Sequence, residues 1–334
     1  MDNLCHTLVG AALGEAGLKR RTPLGMAALL VGANLPDVDA YTYAFSDSPT
    51  ALAFRRGWTH GILAMAVLPV VLAGAMTAFD RTVRRRRHRE RPPARFGALL
   101  LLAFLSILSH PLLDFLNTYG VRFLYPFSNR WFCGDALFIA DPWVWIALAL
   151  GIGLSIARTR AGRSQAERPA RASLAAVGAY IAAMLLSSAA GRGRVERAAR
   201  DAGLSPGRAM VSPVPLDPFR RFVVIEVPGG YRLGSLHWLS RESFVFGRDF
   251  LARNDRDPLA AAATRTRDGE KFLAWARFPY YEIRRERSRS LVSIRDARYP
   301  GSWASVTVEV NAESPHPTGQ SRNSALTPLL RSTP

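Results

Sequence analysis

Long apolar runs alternate along this chain with short arginine blocks, and that alternation decides most of what it can fold into. The runs GILAMAVLPVVLAGAMTAF (61–79), FGALLLLAFLSILS (96–109), PWVWIALALGIGLSIA (142–157) and SLAAVGAYIAAMLLSSAA (173–190) approach the roughly 20 apolar residues a helix needs to cross a bilayer. Between them stand RTVRRRRHRERPPAR (81–95) and RTRAGRSQAERPAR (158–171), and KRR at 19–21 follows an earlier apolar stretch. A formal charge of +18 over 334 residues would suit a nucleic-acid binder. Arginines grouped between apolar runs instead mark the cytoplasmic loops of a polytopic membrane protein. The expected partner is therefore the lipid bilayer, and no nucleic acid is expected.

The expected fold class is a mainly α membrane domain of about five to six helical segments, one of them a candidate re-entrant segment, followed by a small, mostly β extramembrane domain. Residues 3–18 form an apolar helix whose Gly10 and Gly14 make a face for close helix packing. Residues 23–36 are too short to cross about 30 Å of hydrocarbon and must be tilted, shielded or re-entrant. Three domains follow from the composition: 1–192 helical and transmembrane, 193–312 mostly β, and 313–334 a polar, disordered tail. In the β region, RFVVIEVPGGYRLGSLHWLS reads as two strands around a Pro-Gly-Gly turn. KFLAWARFPYYEIRRE, RSLVSIRDARYPG and WASVTVEVNAE add further strand-like alternation. Cys5 and Cys133 are too few for a disulfide framework and are expected as unpaired thiols. No cleavable leader is expected, because the basic block follows the first apolar stretch instead of preceding it.

The stretch LSHPLLDFLNTYG (108–120) carries the chemistry. His110 and Asp114 stand four residues apart on a helix, hence on one face. An aspartate at mid-membrane costs roughly 2.5–3.5 kcal/mol, less near a helix end, and a metal ion is the obvious compensation. Applying the positive-inside rule to all three basic blocks puts the N-terminus and the C-terminal domain in the periplasm. His6, Asp37, Asp39, His60, His110, Asp114 and Asp141 then all fall at the outer ends of their helices. These side chains are the expected metal ligands, for one or two divalent ions, zinc being the expected one. Asp39 doubles as a candidate general base, and Arg56 as a phosphate clamp beside His60 or an interfacial arginine. Thr59 is expected to cap the helix that follows, and Asn34 to pack. His88, His237 and His316 are not expected as ligands, and Trp58, Trp131, Trp143 and Trp145 fit an aromatic belt.

The early histidine, LPDVD, RGWTH and LSHPLLDFLNTYGVRFLYPF together resemble the bacterial membrane-bound metal-dependent hydrolase family. This is the YdjM-like group, described as LexA-binding, inner-membrane-associated hydrolases. The resemblance covers about residues 1–155 and implies a multi-pass inner-membrane protein with His6, Asp37, Asp39, His60, His110 and Asp114 at its polar positions. Ala40 and Arg55 stand where family members often carry histidines, and Asp135 or Asp141 is a candidate substitute. The His-x-x-x-Asp pair also looks like that of zinc-dependent phospholipase C, which points to phosphoesters. Two other readings stay open: a cation-binding transporter, and a metal-stapled, non-catalytic scaffold whose β domain binds a partner.

Overall fold

The computed structural model describes all residues except 88, 242, 287–288, 302–303, 312–316 and 323–334. The chain forms two compact units. One comprises Met1–Asp39, Arg56–Ser188 and Ser212–Pro218; the other comprises Ala40–Arg55, Ala189–Val211 and Phe219–Pro334.

The first unit is helical. Its α1 (Asn3–Glu15) starts at Asp2, whose carboxylate accepts the Leu4 and Cys5 N–H groups and so satisfies two donors that a helix start leaves open. After a 3-10 turn over the first basic block comes α2 (Gly25–Asn34). The two helices touch at the expected small-residue face. A methyl group placed on Gly10 would lie 2.7 Å from the Leu29 carbonyl oxygen, and one on Gly14 would strike the Met26 side chain. Helices α3 (Thr42–Phe45) and α4 (Ser48–Phe54) belong to the second unit.

Next, α5 (Ile62–Phe79) runs through a π turn into α6 (Arg85–Arg87), making one helix from Ile62 to Arg87. The remaining helices are α7 (Phe96–Phe115), α8 (Pro142–Arg160) and α9 (Arg168–Asp201). Among the described residues, four helices are long and apolar enough to cross a membrane: α5 with α6, α7, α8 and α9. Helices α1 and α2, at 13 and 10 residues, are not, and α2 is shielded against α1, α5 and α7.

Leu63, Val67 and Val70 of α5 and Ile146, Leu150 and Leu154 of α8 stay exposed, an apolar surface suited to lipid and not to water. The core gathers Leu29, Leu99 and Leu102 in one cluster and Cys5, Leu113, Leu116 and Leu148 in another. At one end the three basic segments meet. Arg95 donates its backbone N–H to Thr22 Oγ1 at 2.8 Å and its guanidinium to the Arg21 carbonyl. Arg20 lies 3.6 Å from Glu167, and Arg171 donates to the Ala16 carbonyl at 2.9 Å. Neither Cys5 nor Cys133 forms a disulfide among the described residues.

The second unit holds two antiparallel four-stranded sheets. The first runs β1 (Ala209–Pro213), β2 (Arg220–Val227), β3 (Gly230–His237) and β4 (Phe244–Ala252). The expected hairpin is there: β2 and β3 pair from Arg220↔His237 to Val227↔Gly230, with Gly229 at φ 82° in the turn. Between the sheets come α10 (Pro258–Thr264) and α11 (Arg267–Trp275), and the second sheet runs β5 (Pro279–Arg285), β6 (Arg289–Asp296), β7 (Ser305–Asn311) and β8 (Pro317–Arg322).

One expected strand starts late, since residues 271–275 of KFLAWARFPYYEIRRE are helical. Thr266 caps that helix at the Gly269 N–H, Asp268 and Glu270 sit in its first turn, and Phe272 and Trp275 bury on one face. These local signals outweigh the short apolar alternation. Residues 317–322, which their polar composition places in a disordered tail, pair with β7 as β8. The rest of that tail, His316 included, lies outside the described residues, as does His88.

Candidate metal centre

Three segments of the helical unit deliver the cluster. Asp37 sits in the 3-10 turn Leu35–Tyr41 that ends α2, His60 just ahead of α5, and His110 and Asp114 in the last turns of α7. His60 Nε2 lies 3.2 Å from Asp114 Oδ2 and 3.9 Å from Asp37 Oδ1. His110 Nε2 lies 3.5 Å from Asp114 Oδ2 and 3.6 Å from Asp37 Oδ1. One donor atom from each of the four residues falls within 4.8 Å of all the others, and all four side chains are buried.

Two imidazole nitrogens and two carboxylate oxygens are a zinc-type donor set. Around one ion at about 2.0–2.1 Å, tetrahedral donors stand roughly 3.3–3.4 Å apart, close to the spacings found. His60 Nε2, His110 Nε2 and Asp114 Oδ2 are buried without a hydrogen-bond partner, within reach of one another but not aligned for hydrogen bonding. Buried polar atoms left this way are costly in a protein interior. A cation at the point they face would satisfy them, so the residues fit a divalent metal.

The opposite nitrogen of each of these two rings is fixed by the chain. His110 Nδ1 lies 2.6 Å from the Ala33 carbonyl oxygen, which can only accept, so Nδ1 donates there and Nε2 is the nitrogen turned toward the cluster. His60 Nδ1 lies 2.8 Å from Thr59 Oγ1 and 3.4 Å from Asp39 Oδ2. Thr59 in turn donates to Asp39 Oδ2 at 2.8 Å, which leaves its oxygen to accept the His60 Nδ1–H. Asp39 Oδ2 also takes the Arg56 N–H at 2.7 Å. This carboxylate therefore orients His60 from behind. Thr59 does not cap α5, whose N-cap is Gly61 with no side-chain bond.

Around the four stand two further expected residues. The His6 ring stacks on His110 with centroids 3.6 Å apart and planes 12° apart, and its Nε2 is 3.4 Å from Asp114 Oδ1. Asp114 Oδ1 also faces the Met1 amino group and takes Arg56 Nη2 at 3.0 Å. Arg56 is thus a buried partner of the cluster and not an arginine of the membrane surface; its Nη1 donates to the Gly120 carbonyl at 3.1 Å, and its guanidinium packs over Tyr119.

Other expected residues go elsewhere. Asp141 caps α8 through the Trp143 and Val144 N–H groups and accepts from Tyr180 Oη at 3.1 Å, so its carboxylate is engaged by the start of α8 and by α9 and stands outside the four-residue cluster. Asp135 is buried at φ 51°, and its carbonyl accepts from Ser188. Asn34 bonds Thr7 and the Leu30 carbonyl, a packing role. Trp58 and Trp143 are half exposed, as a belt residue would be. His237 ends β3 in the other unit.

Sequence reading passed over Asn117. Its Oδ1 accepts the Tyr119 and Gly120 N–H groups and faces Arg56 Nη1 at 3.4 Å, fixing the turn after α7. Its place three residues after Asp114 was the available signal.

The comparisons with known proteins address the same stretch. A model of the YdjM inner membrane protein family matches residues 1–191. The chain belongs to that family. The YdjM match covers every residue of the cluster and leaves the C-terminal sheets outside it. Among curated proteins, the "Uncharacterized protein YfhP" of Bacillus subtilis (strain 168) is 27% identical over 154 residues, 43% of each chain, so this chain spans less than half the length of that relative. No solved structure matches.

Proposed function

We propose that this YdjM-family protein is an integral inner-membrane metal-dependent hydrolase, with Asp37, His60, His110 and Asp114 as ligands and His6 close enough to join them. The observation that carries the reading is the set of inward-facing buried atoms, His60 Nε2, His110 Nε2 and Asp114 Oδ2, that have no hydrogen-bond partner. A divalent ion held there, zinc by its donor set, supplies Lewis-acid activation of water and of an ester oxygen. The chain's own residues do the rest. Asp39 and Thr59 orient the His60 ring, Ala33 orients that of His110, and Arg56 holds Asp114 in place. Asp39 is held by two donors, which supports an orienting role over that of general base.

The substrate we infer is a phosphoester or another ester at the membrane surface, and the site faces the periplasm. Support for that side is the meeting of all three arginine-rich segments at one end of the helical unit, the end the positive-inside rule assigns to the cytoplasm.

Burial favours a second reading. His60, His110 and Asp114 are each 0% exposed, as expected where a metal only staples helices together. One purification separates the two. Bound metal lost in His110→Ala and Asp114→Ala, with hydrolysis of a member of a phosphoester, carboxyl-ester and amide panel by the intact protein, is the expected result. Metal lost without any hydrolysis leaves the staple, and metal kept in both variants removes these residues from the ligand set. Cation uptake into proteoliposomes would make the protein a transporter.

A further inference from the structure

Helices α3 and α4 lie between two residues of the metal centre. Asp39 precedes this segment, Arg56 follows it, and the Arg56 N–H donates to the Asp39 carboxylate at 2.7 Å. The segment is therefore a loop whose base is closed by that hydrogen bond, and both residues of the base touch the cluster: Asp39 at His60, and Arg56 at Asp114. Arg56 adopts a left-handed backbone, φ 52°, which a non-glycine residue holds only when its surroundings impose it.

The body of the loop is gripped by the C-terminal unit. Helix α4 packs against α11, and Ala51 and Leu52 are fully buried. Lys271 Nζ of α11 donates to Thr50 Oγ1 at 2.6 Å. Asp47 caps α4 at the Thr50 N–H, 2.7 Å away, so this residue is tied by backbone and side chain alike.

We propose that the C-terminal domain sets the geometry of the metal centre through this loop, with α11 holding α4, and α4 holding the base that carries Asp39 and Arg56. Lys271, Thr50 and Leu52 are then positioning residues for ligands they do not touch. The domain acquires a role the family match does not cover: whatever draws α4 away from α11 loosens the outer partner of His60 and the cation beside Asp114. The inference rests on reading the cluster as a metal centre.

The test uses full-length protein, titrated with Co²⁺ and followed by visible absorption, with zinc competition for affinity. Hydrogen exchange of residues 41–55 and of the β2–β3 hairpin is measured alongside. In Lys271→Met and Leu52→Ala, residues 41–55 should exchange faster while the hairpin stays protected. The Co²⁺ dissociation constant should rise about tenfold, the size of effect outer partners of metal ligands have, and the absorption band should shift. Lys271→Arg, which keeps a donor for Thr50, should restore affinity and spectrum. If Leu52→Ala exposes the hairpin, the Lys271 pair alone decides. Faster exchange of 41–55 with wild-type affinity and spectrum overturns the coupling and leaves the metal reading standing, as does unchanged exchange of that segment. Failure of the wild-type protein to take up Co²⁺ or zinc overturns both.

Discussion

Two buried aspartates, one in each unit, have opposite surroundings. Asp296, at the end of β6, takes the Arg277 N–H at 2.6 Å, the Arg298 N–H at 2.9 Å, and the Arg298 guanidinium at 3.0 and 2.9 Å. Arg298 in turn donates to the Trp275 carbonyl at 3.0 Å and lies over its ring. The chain satisfies this charge completely. Asp114 has one oxygen engaged by Arg56, while the other faces two histidine nitrogens with no hydrogen bond between them. A saturated network of the first kind fixes a fold. An unsaturated one, kept at 0% exposure, has the donor atoms that could hold a cation.

That contrast can be broken by substitution. Asp114→Ala should do the most damage: it leaves Arg56 buried without its carboxylate, at about 3–5 kcal/mol, and it abolishes metal uptake. Thermal unfolding and metal analysis would show both losses. Asp296→Ala should cost a similar 3–5 kcal/mol but only in the C-terminal unit, with metal content kept; a loss of metal there would erase the distinction between the two sites. Thr59→Val removes the hydroxyl between Asp39 and His60, and should weaken metal binding by about 10–100-fold with little change in melting temperature. Chelation of the wild-type protein should lower the melting temperature of the helical unit and spare the sheets, as linkage requires of a ligand that binds only the folded state. The smallest effect is expected from Gly229→Ala, whose positive φ costs roughly 1 kcal/mol in the hairpin; exchange in β2–β3 would register it, and metal affinity should not.

The cluster was legible because its signals are local. His110 and Asp114 share a helix face by spacing alone, and the basic blocks set one depth for residues scattered from His6 to Asp114. Helix packing at Gly10 and the hairpin at Gly229 were legible for the same reason. What escaped was tertiary. Nothing in the order Asp39, Arg56, Thr59 says that a carboxylate will collect a backbone N–H and a hydroxyl and thereby orient a histidine ring. Asp141 looked like a ligand because depth alone cannot separate a helix cap from a metal donor. The strand expected across 271–275 fell to a capped amphipathic turn, and the pairing of 317–322 with β7 overrode a composition that reads as disorder. That residues 40–55 join the C-terminal unit, although Asp39 and Arg56 on either side belong to the helical one, is visible only in three dimensions.

The ten residues of α2 rise about 15 Å, half the thickness of an average bilayer's acyl region, and the cluster hangs from the end of this stub. Packed among α1, α5 and α7, it leaves the rest of that depth to its neighbours or to water entering from one face. Fatty-acyl length in the surrounding lipid thereby becomes a control variable: thin membranes should suit this protein, and reconstitution into long-chain phosphatidylcholine should strain it first at the metal.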